Sequence, residues 1–274
     1  MSSEWREAIK RFRVLLRWIL EENFRFPVVE ILVSVFVICM LIPPISETMH
    51  GCVFYGKLEL ELKQRFTTAL IHLITSTTGI MAIVVGAIFG LNVTRDFETR
   101  RIITFLTNPV KRHEIILSKF FANILVLYAI SATLVVIDMT VFMGYGAMYG
   151  NLICLALLTL LLQLFFVCSV ALIISLVSKN SVLPVLGIIA LHEGLRRLLD
   201  YAKSPYVLCF NFLGVDIIMR FLFDLREFRT VIGEIYFQIT VDLNMFLCAL
   251  FYRVFVSVFL IIVSIIYLRR LQLD

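Results

Sequence analysis

The chain has 274 residues, of which 61% are hydrophobic and 16% are charged, with a net charge of +5 and a mean hydropathy of +0.97. This composition excludes an ordinary soluble domain and predicts an integral membrane protein. Lipid offers the backbone no hydrogen bonds, and the apolar segments are too long and continuous for barrel strands. We therefore expect an all-α polytopic membrane protein, with residues 1–274 forming a single six-span domain.

The first predicted element is a basic amphipathic helix within residues 1–25. Its apolar positions recur at helical spacing from Trp5 to Ile19. The intervening cations include Arg6, Lys10, Arg13 and Arg17. Such a helix lies along the inner leaflet, where its cations pair with anionic lipid headgroups. An anchor and topology signal explains most of this pattern, and a docking surface for a cytoplasmic partner is the added hypothesis. Residues 1–25 are not expected to be a cleavable signal peptide, because they are charged.

Six helical spans are predicted from apolar segments, since a bilayer core needs about 20 apolar residues. They are Pro27–Ile42, Thr67–Val93, Ile115–Met143, Asn151–Ser178, Val182–Leu199 and Met245–Leu268. The first is short. The fifth is uncharged only as far as Leu191 and is followed by His192 and Glu193, so it is either a short span or a re-entrant segment.

Lysine and arginine predict the orientation, because cytoplasmic flanks are enriched in them. They gather before the first span, in residues 95–119, and at Arg269 and Arg270, so we expect both termini inside the cell. Residues 200–244 then form an outer-side loop. In this loop a charged stripe predicts an amphipathic helix at the outer interface, acting as a packed cap or as an exit gate. The stripe consists of Asp216, Arg220, Asp224 and Glu227.

Few polar groups fall inside the predicted spans. The carboxylates Glu30 and Asp138 lie near span ends, which disfavours ion-coupled transport. His72, Asn123 and Gln163 are expected to form hydrogen bonds between helices. In the second span, a stripe of small residues predicts close packing within the chain or in a dimer. It contains Gly79, Gly86 and Gly90.

Motif searches exclude several kinds of chemistry. The sequence has no phosphate-binding loop, so the chain is not expected to hydrolyse ATP itself. His192-Glu193 resembles the start of a zinc-protease motif, but Arg196 stands where the second histidine belongs. Of the six cysteines, Cys52 and Cys209 are candidates for an outer disulfide, and most are expected to be small buried hydrophobic residues. We expect no catalytic residue, metal or nucleic-acid partner.

The charged segment between the second and third spans carries the most specific pattern. It contains Pro109-Val110, then Arg112, an isoleucine pair at 115–116 and Lys119, in the order and spacing of the signature of type-2 ABC transporter permeases, which it resembles. Arg101-Ile102 replaces the usual Gly-Thr pair. Lys111 and Ser118 replace the usual serine and glycine.

The resemblance implies the membrane subunit of an ABC exporter. It implies a cytoplasmic coupling helix within residues 95–119, two copies of a separate ATPase that binds ATP and magnesium, and a second permease chain, expected to be identical. The residues implied to contact the ATPase are Asp96, Glu98, Thr99, Arg100, Arg101, Pro109, Lys111 and Arg112. The chain itself then holds no cofactor.

Three rival interpretations remain open. The segment at 95–119 can be an inner loop that only obeys the topology rule. The chain can be a membrane enzyme acting on lipids, with His72, Asp138, or His192 and Glu193 as its reactive groups, or an accessory subunit without transport activity. The apolar spans suit lipid-like, peptide or drug cargo, or a role in metallocofactor assembly, and select none of them.

Overall fold

The computed structural model describes residues 3–24, 34, 84–89, 93–94, 112–137, 150–178, 180, 182–202, 209, 214–223, 227–232 and 235–270. Its main elements are α1 (Ser3–Phe24), α2 (Arg112–Ile137), α3 (Gly150–Ser178), α4 (Leu183–Ala202), α5 (Gly214–Leu222), β1 (Glu227–Ile232), β2 (Ile235–Thr240) and α6 (Leu243–Arg270). A further helical stretch occupies residues 84–89.

Three of the described helices are long and apolar enough to cross a membrane. The qualifying stretches are Glu114–Ile137, Gly150–Ser178 and Leu243–Leu268, which overlap the third, fourth and sixth predicted spans. Helix α4 covers most of the fifth predicted span, but its second half is charged. The first two predicted spans lie mostly outside the described residues. The helical membrane class is therefore confirmed, and the number of six spans stays a prediction.

Helix α3 is at the centre of the described part. It packs against α2, α4, α5 and α6, and most of its side chains are buried. Helix α6 instead presents an exposed apolar face on which three phenylalanine rings stack. The centroids of Phe251 and Phe255 are 5.4 Å apart, and those of Phe255 and Phe259 are 6.3 Å apart. Because a spanning helix keeps its apolar side chains in contact with lipid, this face suits the bilayer.

Two helix starts and several helix hydroxyl groups have local hydrogen-bond partners. The backbone N–H of Met245 donates to Oδ1 of Asp242 at 2.8 Å, so Asp242 caps the start of α6. Asn180 accepts from the N–H of Val182 just before α4. Hydroxyls such as that of Ser131 donate to a carbonyl one turn earlier in the same helix, which satisfies them in an environment without water.

The segment between α5 and α6 corrects the all-α prediction. Strands β1 and β2 form an antiparallel hairpin in which Glu227 pairs with Thr240 and Ile232 with Ile235. Both strands are rich in β-branched and aromatic residues, which favour a pleated surface. The predicted charged stripe is also wrong, because α5 ends at Leu222 and Glu227 begins a strand. Charges at helical spacing therefore do not show that one helix carries them all.

Close helix packing is visible at two glycines. A Cβ placed on Gly86 would lie 3.1 Å from Cα of Val185 and 3.2 Å from the carbonyl oxygen of Pro184. A Cβ on Gly187 would lie 3.1 Å from a methyl carbon of Ile174. Backbone contact at Gly86 thus joins residues 84–89 to α4 within one chain. Gly79 and Gly90 lie outside the described residues.

Candidate functional site

The N-terminal end of α2 is where the predicted coupling segment meets the membrane helices. The described structure begins again at Arg112, which is the first residue of α2. Residues 95–111 lie outside the described part, and with them Asp96, Glu98, Thr99, Arg100, Arg101, Pro109 and Lys111. The structure therefore describes the helix that follows the coupling segment, α2, and not the segment itself.

Five phenylalanines pack together around this end of α2, and we call them the inner aromatic cluster: Phe12, Phe89, Phe120, Phe121 and Phe165. Phe120 is fully buried, with its ring centroid 6.3 Å from that of Phe89 and 5.6 Å from that of Phe165. Phe121 packs on Phe120 at 5.4 Å and on Phe12 at 6.1 Å. These are edge-to-face contacts, which aromatic rings prefer. The cluster joins α1, α2, α3 and the helical stretch at 84–89.

Helix α1 packs against α2 along one side. Ile19 is buried and Phe12 is half-buried, whereas Ile9 is half exposed although it belongs to the predicted apolar face. On the opposite side, Lys10 and Arg13 are exposed. Arg17 is also exposed and pairs with Glu21 one turn later, with Nε 3.0 Å from Oε1. The cationic side of α1 is therefore available beside the start of α2. The side chain of Arg6 lies outside the described residues.

A second polar site lies in the membrane-spanning part, and we call it the Arg253 junction: Arg253, Gln163, Phe166 and Cys209. Arg253 is fully buried near the middle of α6. Its Nε donates to Oε1 of Gln163 at 3.1 Å, and its Nη1 donates to the carbonyl oxygen of Cys209 at 3.5 Å. Its Cζ lies 5.6 Å from the ring centroid of Phe166. One guanidinium thus links α6 to α3 and to the segment before α5.

The direction of the arginine side chain follows from helix geometry. The Cα–Cβ bonds of an α-helix tilt toward its N-terminus, which for α6 is the end near Leu243. Cys209 lies at that end, since its thiol donates to the carbonyl oxygen of Met245 at 3.5 Å. Placing a charge in the middle of a span costs about 2.5–3.5 kcal/mol on insertion scales. The planar guanidinium reduces this cost by donating to two oxygens and lying over an aromatic ring.

Sequence reasoning missed both features. Arg253 is the sole Asp, Glu, Lys or Arg residue between Leu243 and Leu268, and this isolated charge in an apolar run was its sequence signal. Gln163 was named as an interhelical hydrogen-bonding group, as the structure finds it. The inner aromatic cluster gave no comparable signal. Its rings come from four separate segments, and only the Phe120-Phe121 pair is adjacent in sequence.

The structure does not describe the side chains of the rival enzyme interpretation. His192 and Glu193 lie in α4, and their side chains are outside the description, as are His72 and Asp138. The cysteine prediction also changes, because Cys209 is a free and buried thiol that lies beside Cys248. Cys52 lies outside the described residues.

Comparison with known proteins identifies the family. A family model described as "ABC-2 family transporter protein" matches residues 25–194. The match covers more than half of the chain, from just before the first predicted span into the fifth, and includes the whole segment at 95–119. No curated protein matches the chain. With its long apolar helices, the chain therefore belongs to the ABC-2 transporter family and is a multi-pass permease component of an ABC transporter.

Proposed function

We propose that this chain is the permease half of an ATP-driven exporter. Two copies form a dimer, and two copies of a separate ATPase dock on the cytoplasmic side and bind ATP and magnesium. The family match supports a membrane component of such a transporter. The 274 residues contain no phosphate-binding loop, which fits an ATPase site outside them.

The observation that carries this proposal is the inner aromatic cluster. Residues 95–111 lead directly into α2, and Phe120 lies about 12 Å along that helix from Arg112, at 1.5 Å per residue. A force applied by the ATPase to the coupling segment would displace α2 as a rigid rod. Through Phe120, that displacement would reach Phe89 and Phe165 in the neighbouring helices. Each such aromatic pair contributes about 0.5–1.5 kcal/mol beyond its buried area.

The charges around the cluster suit a soluble partner. The segment before α2 is acidic at Asp96 and Glu98 and then basic at Arg100 and Arg101. Mixed charges of this kind make charge-assisted hydrogen bonds to a complementary surface and set its orientation. The exposed cations of α1 lie beside α2 and extend the basic region toward anionic lipid headgroups. With both termini inside the cell, this region faces the cytoplasm.

The first arm of the test is recovery of the partner. The tagged full-length chain is purified from native membranes, and native mass spectrometry should find two permease chains with two ATPase chains. If no nucleotide-binding protein co-purifies under gentle detergent conditions, the exporter proposal is wrong.

The second arm tests energy coupling with Glu98→Arg, which reverses a charge in the coupling segment. In the reconstituted complex, ATP hydrolysis should continue, while the ATP-dependent change in hydrogen exchange of α2 and α3 should be lost. Glu61→Arg, on the predicted outer side, is the matched control and should behave as the wild type. Equal amounts of each variant in the membrane exclude an insertion defect. A wild-type exchange response from Glu98→Arg would contradict coupling through this segment.

A further inference from the structure

Two cysteines far apart in sequence meet at the outer end of α6. Cys209, which is fully buried, donates its thiol hydrogen to the carbonyl oxygen of Met245, and Cys248 lies one turn along the same helix. Both side chains belong to the apolar cluster around Met245, in which Cys209 is buried and Cys248 packs against the buried residues. Cys248 is the more accessible of the two. Both are free thiols in this structure.

We propose that Cys209 and Cys248 are a disulfide pair that ties the outer segment to the last span. The proposal rests on the proposed orientation, which places this end of α6 on the outer side of the membrane. Disulfides form and persist in oxidising compartments, and that side is the oxidising one. The bridge would enclose α5 and the β-hairpin in a single covalent loop.

The packing around Cys209 favours this partner. A disulfide needs two Cβ atoms about 3.5–4.5 Å apart, which only side chains already in contact can reach without backbone movement. Cys248 is placed for such contact, because it packs against the cluster that contains Cys209 and follows Met245, the acceptor of the Cys209 thiol, by three residues along α6. The backbone at Cys209 is held there independently by the guanidinium of Arg253, which donates to its carbonyl oxygen. The pairing is therefore favoured by a preformed site.

The reaction is a thiol–disulfide exchange with a disulfide-bearing oxidant on the outer side. Cys209 is fully buried whereas Cys248 is half-exposed, so Cys248 is the first nucleophile. The Cys248 thiolate attacks one sulfur of the oxidant, forming a mixed disulfide and releasing one thiol. The Cys209 thiol loses its proton, attacks the Cys248 sulfur and releases the second thiol. Two protein thiols are oxidised and one oxidant disulfide is reduced to two thiols.

The test measures the thiol state of the full-length chain in its membrane. Cells are quenched in acid, free thiols are alkylated with one reagent, and disulfides are then reduced and alkylated with an isotopically heavy one. Mass spectrometry should find the heavy label on Cys209 and Cys248 and the light label on Cys154. An unreduced digest should contain the peptide that joins Cys209 to Cys248. Light label on both residues, or a bridge from Cys209 to another cysteine, would overturn the proposal.

Matched variants separate the bridge from folding. Cys209→Ser and Cys248→Ser should each convert the remaining cysteine to the light label. Cys154→Ser should leave the bridge intact. A reducing agent should lower the melting temperature of the wild type by roughly 5 °C or more and leave the double variant unchanged. If reduction shifts the wild type and the double variant equally, the bridge is not the cause.

A second measurement distinguishes failure of this proposal from failure of the proposed orientation. Membranes of known sidedness are treated with oxidised glutathione as a defined oxidant, and the C-terminus is located with an epitope tag. A cytoplasmic C-terminus with Cys209 and Cys248 still reduced overturns the disulfide alone. An external C-terminus overturns the orientation and, with it, the basis for an oxidised pair.

Discussion

Arg253 illustrates at the scale of a single residue how a charge is held inside a membrane helix. Its guanidinium donates hydrogen bonds to Gln163 on α3 and to the carbonyl oxygen of Cys209. These bonds connect segments that are distant in sequence. The neighbouring turn is closed by Ser257, whose hydroxyl donates to the backbone carbonyl of Arg253 at 2.6 Å. The residue therefore contributes to positioning as well as to stability.

The first residue-scale prediction concerns the pair of Arg253 and Gln163. A double-mutant cycle with Arg253→Met and Gln163→Leu should give a favourable coupling free energy of about 0.5–2 kcal/mol, as found for polar pairs between membrane helices. The measurement is unfolding of the purified protein in bicelles. Arg253→Lys should retain part of the coupling, because an ammonium group donates to oxygens but lacks the planar fork.

Val254→Ala is the control for this cycle, since Val254 is exposed on the lipid-facing side of α6. It should change the free energy of unfolding by much less than the loss of the pair. If the effects of Arg253→Met and Gln163→Leu simply add, the hydrogen bond between them contributes nothing to stability.

At the scale of elements, backbone approach rather than side-chain interdigitation joins the stretch at 84–89 to α4. Gly86 faces the backbone of Pro184 and Val185, and neither group can rotate away from a new side chain. On the other side of α4, Gly187 lies against Ile174 of α3, which is a side chain and so is more adaptable. The start of α4 therefore packs between residues 84–89 and α3.

The element-scale prediction follows from this difference. Gly86→Ala should destabilise the protein by about 1–3 kcal/mol, because the new Cβ forces two backbones apart. Gly194→Ala is the matched control, since nothing lies within 4 Å of a Cβ placed there and alanine favours the helix. The free energy of unfolding of both variants in detergent checks the prediction. Equal stability of Gly86→Ala and the wild type would show that these elements are not in close contact.

At the scale of the whole molecule, the inner aromatic cluster and the apolar cluster around Met245 both contact the middle of α3. Phe165 belongs to the aromatic cluster, and Leu162, about one turn earlier in α3, packs against the cluster that α5 and the first turns of α6 form around Met245. Helix α3 packs against α2 and also against α5 and α6. A displacement of α2 is therefore transmitted to α5 and α6 through packed side chains of α3. This arrangement suits a permease that is driven from one side.

The whole-molecule prediction concerns orientation. An epitope inserted in the uncharged turn at 144–150 of the full-length chain should be accessible to antibody in intact cells, while an epitope at the C-terminus should need permeabilisation. The expected reason is the excess of lysine and arginine around Arg112 and at Arg269 and Arg270. The reverse pattern of accessibility would place the coupling segment outside and contradict docking of an ATPase there.

Particular residues show what could be predicted and what could not. The apolar runs that became α2, α3 and α6 were predictable because a bilayer demands long uncharged helices, and the motif from Pro109 to Lys119 was enough to indicate the family that the comparison confirmed. The hairpin was missed because the charges from Asp216 to Glu227 happen to recur at a helical interval. Arg253 was visible in the sequence, but its partners were not.

The sequence by itself determined that this protein is a helical membrane protein and a member of a transporter family, because hydropathy and a local motif depend on neighbours along the chain. Tertiary structure alone decided which side chains meet. Phe120 contacts rings from two other segments, Arg253 reaches Gln163 and Cys209, and Cys209 lies in the same cluster as Cys248. Such contacts depend on the crossing angles of the helices and on the rotation of each helix about its axis. The local periodicity of a sequence does not specify either quantity.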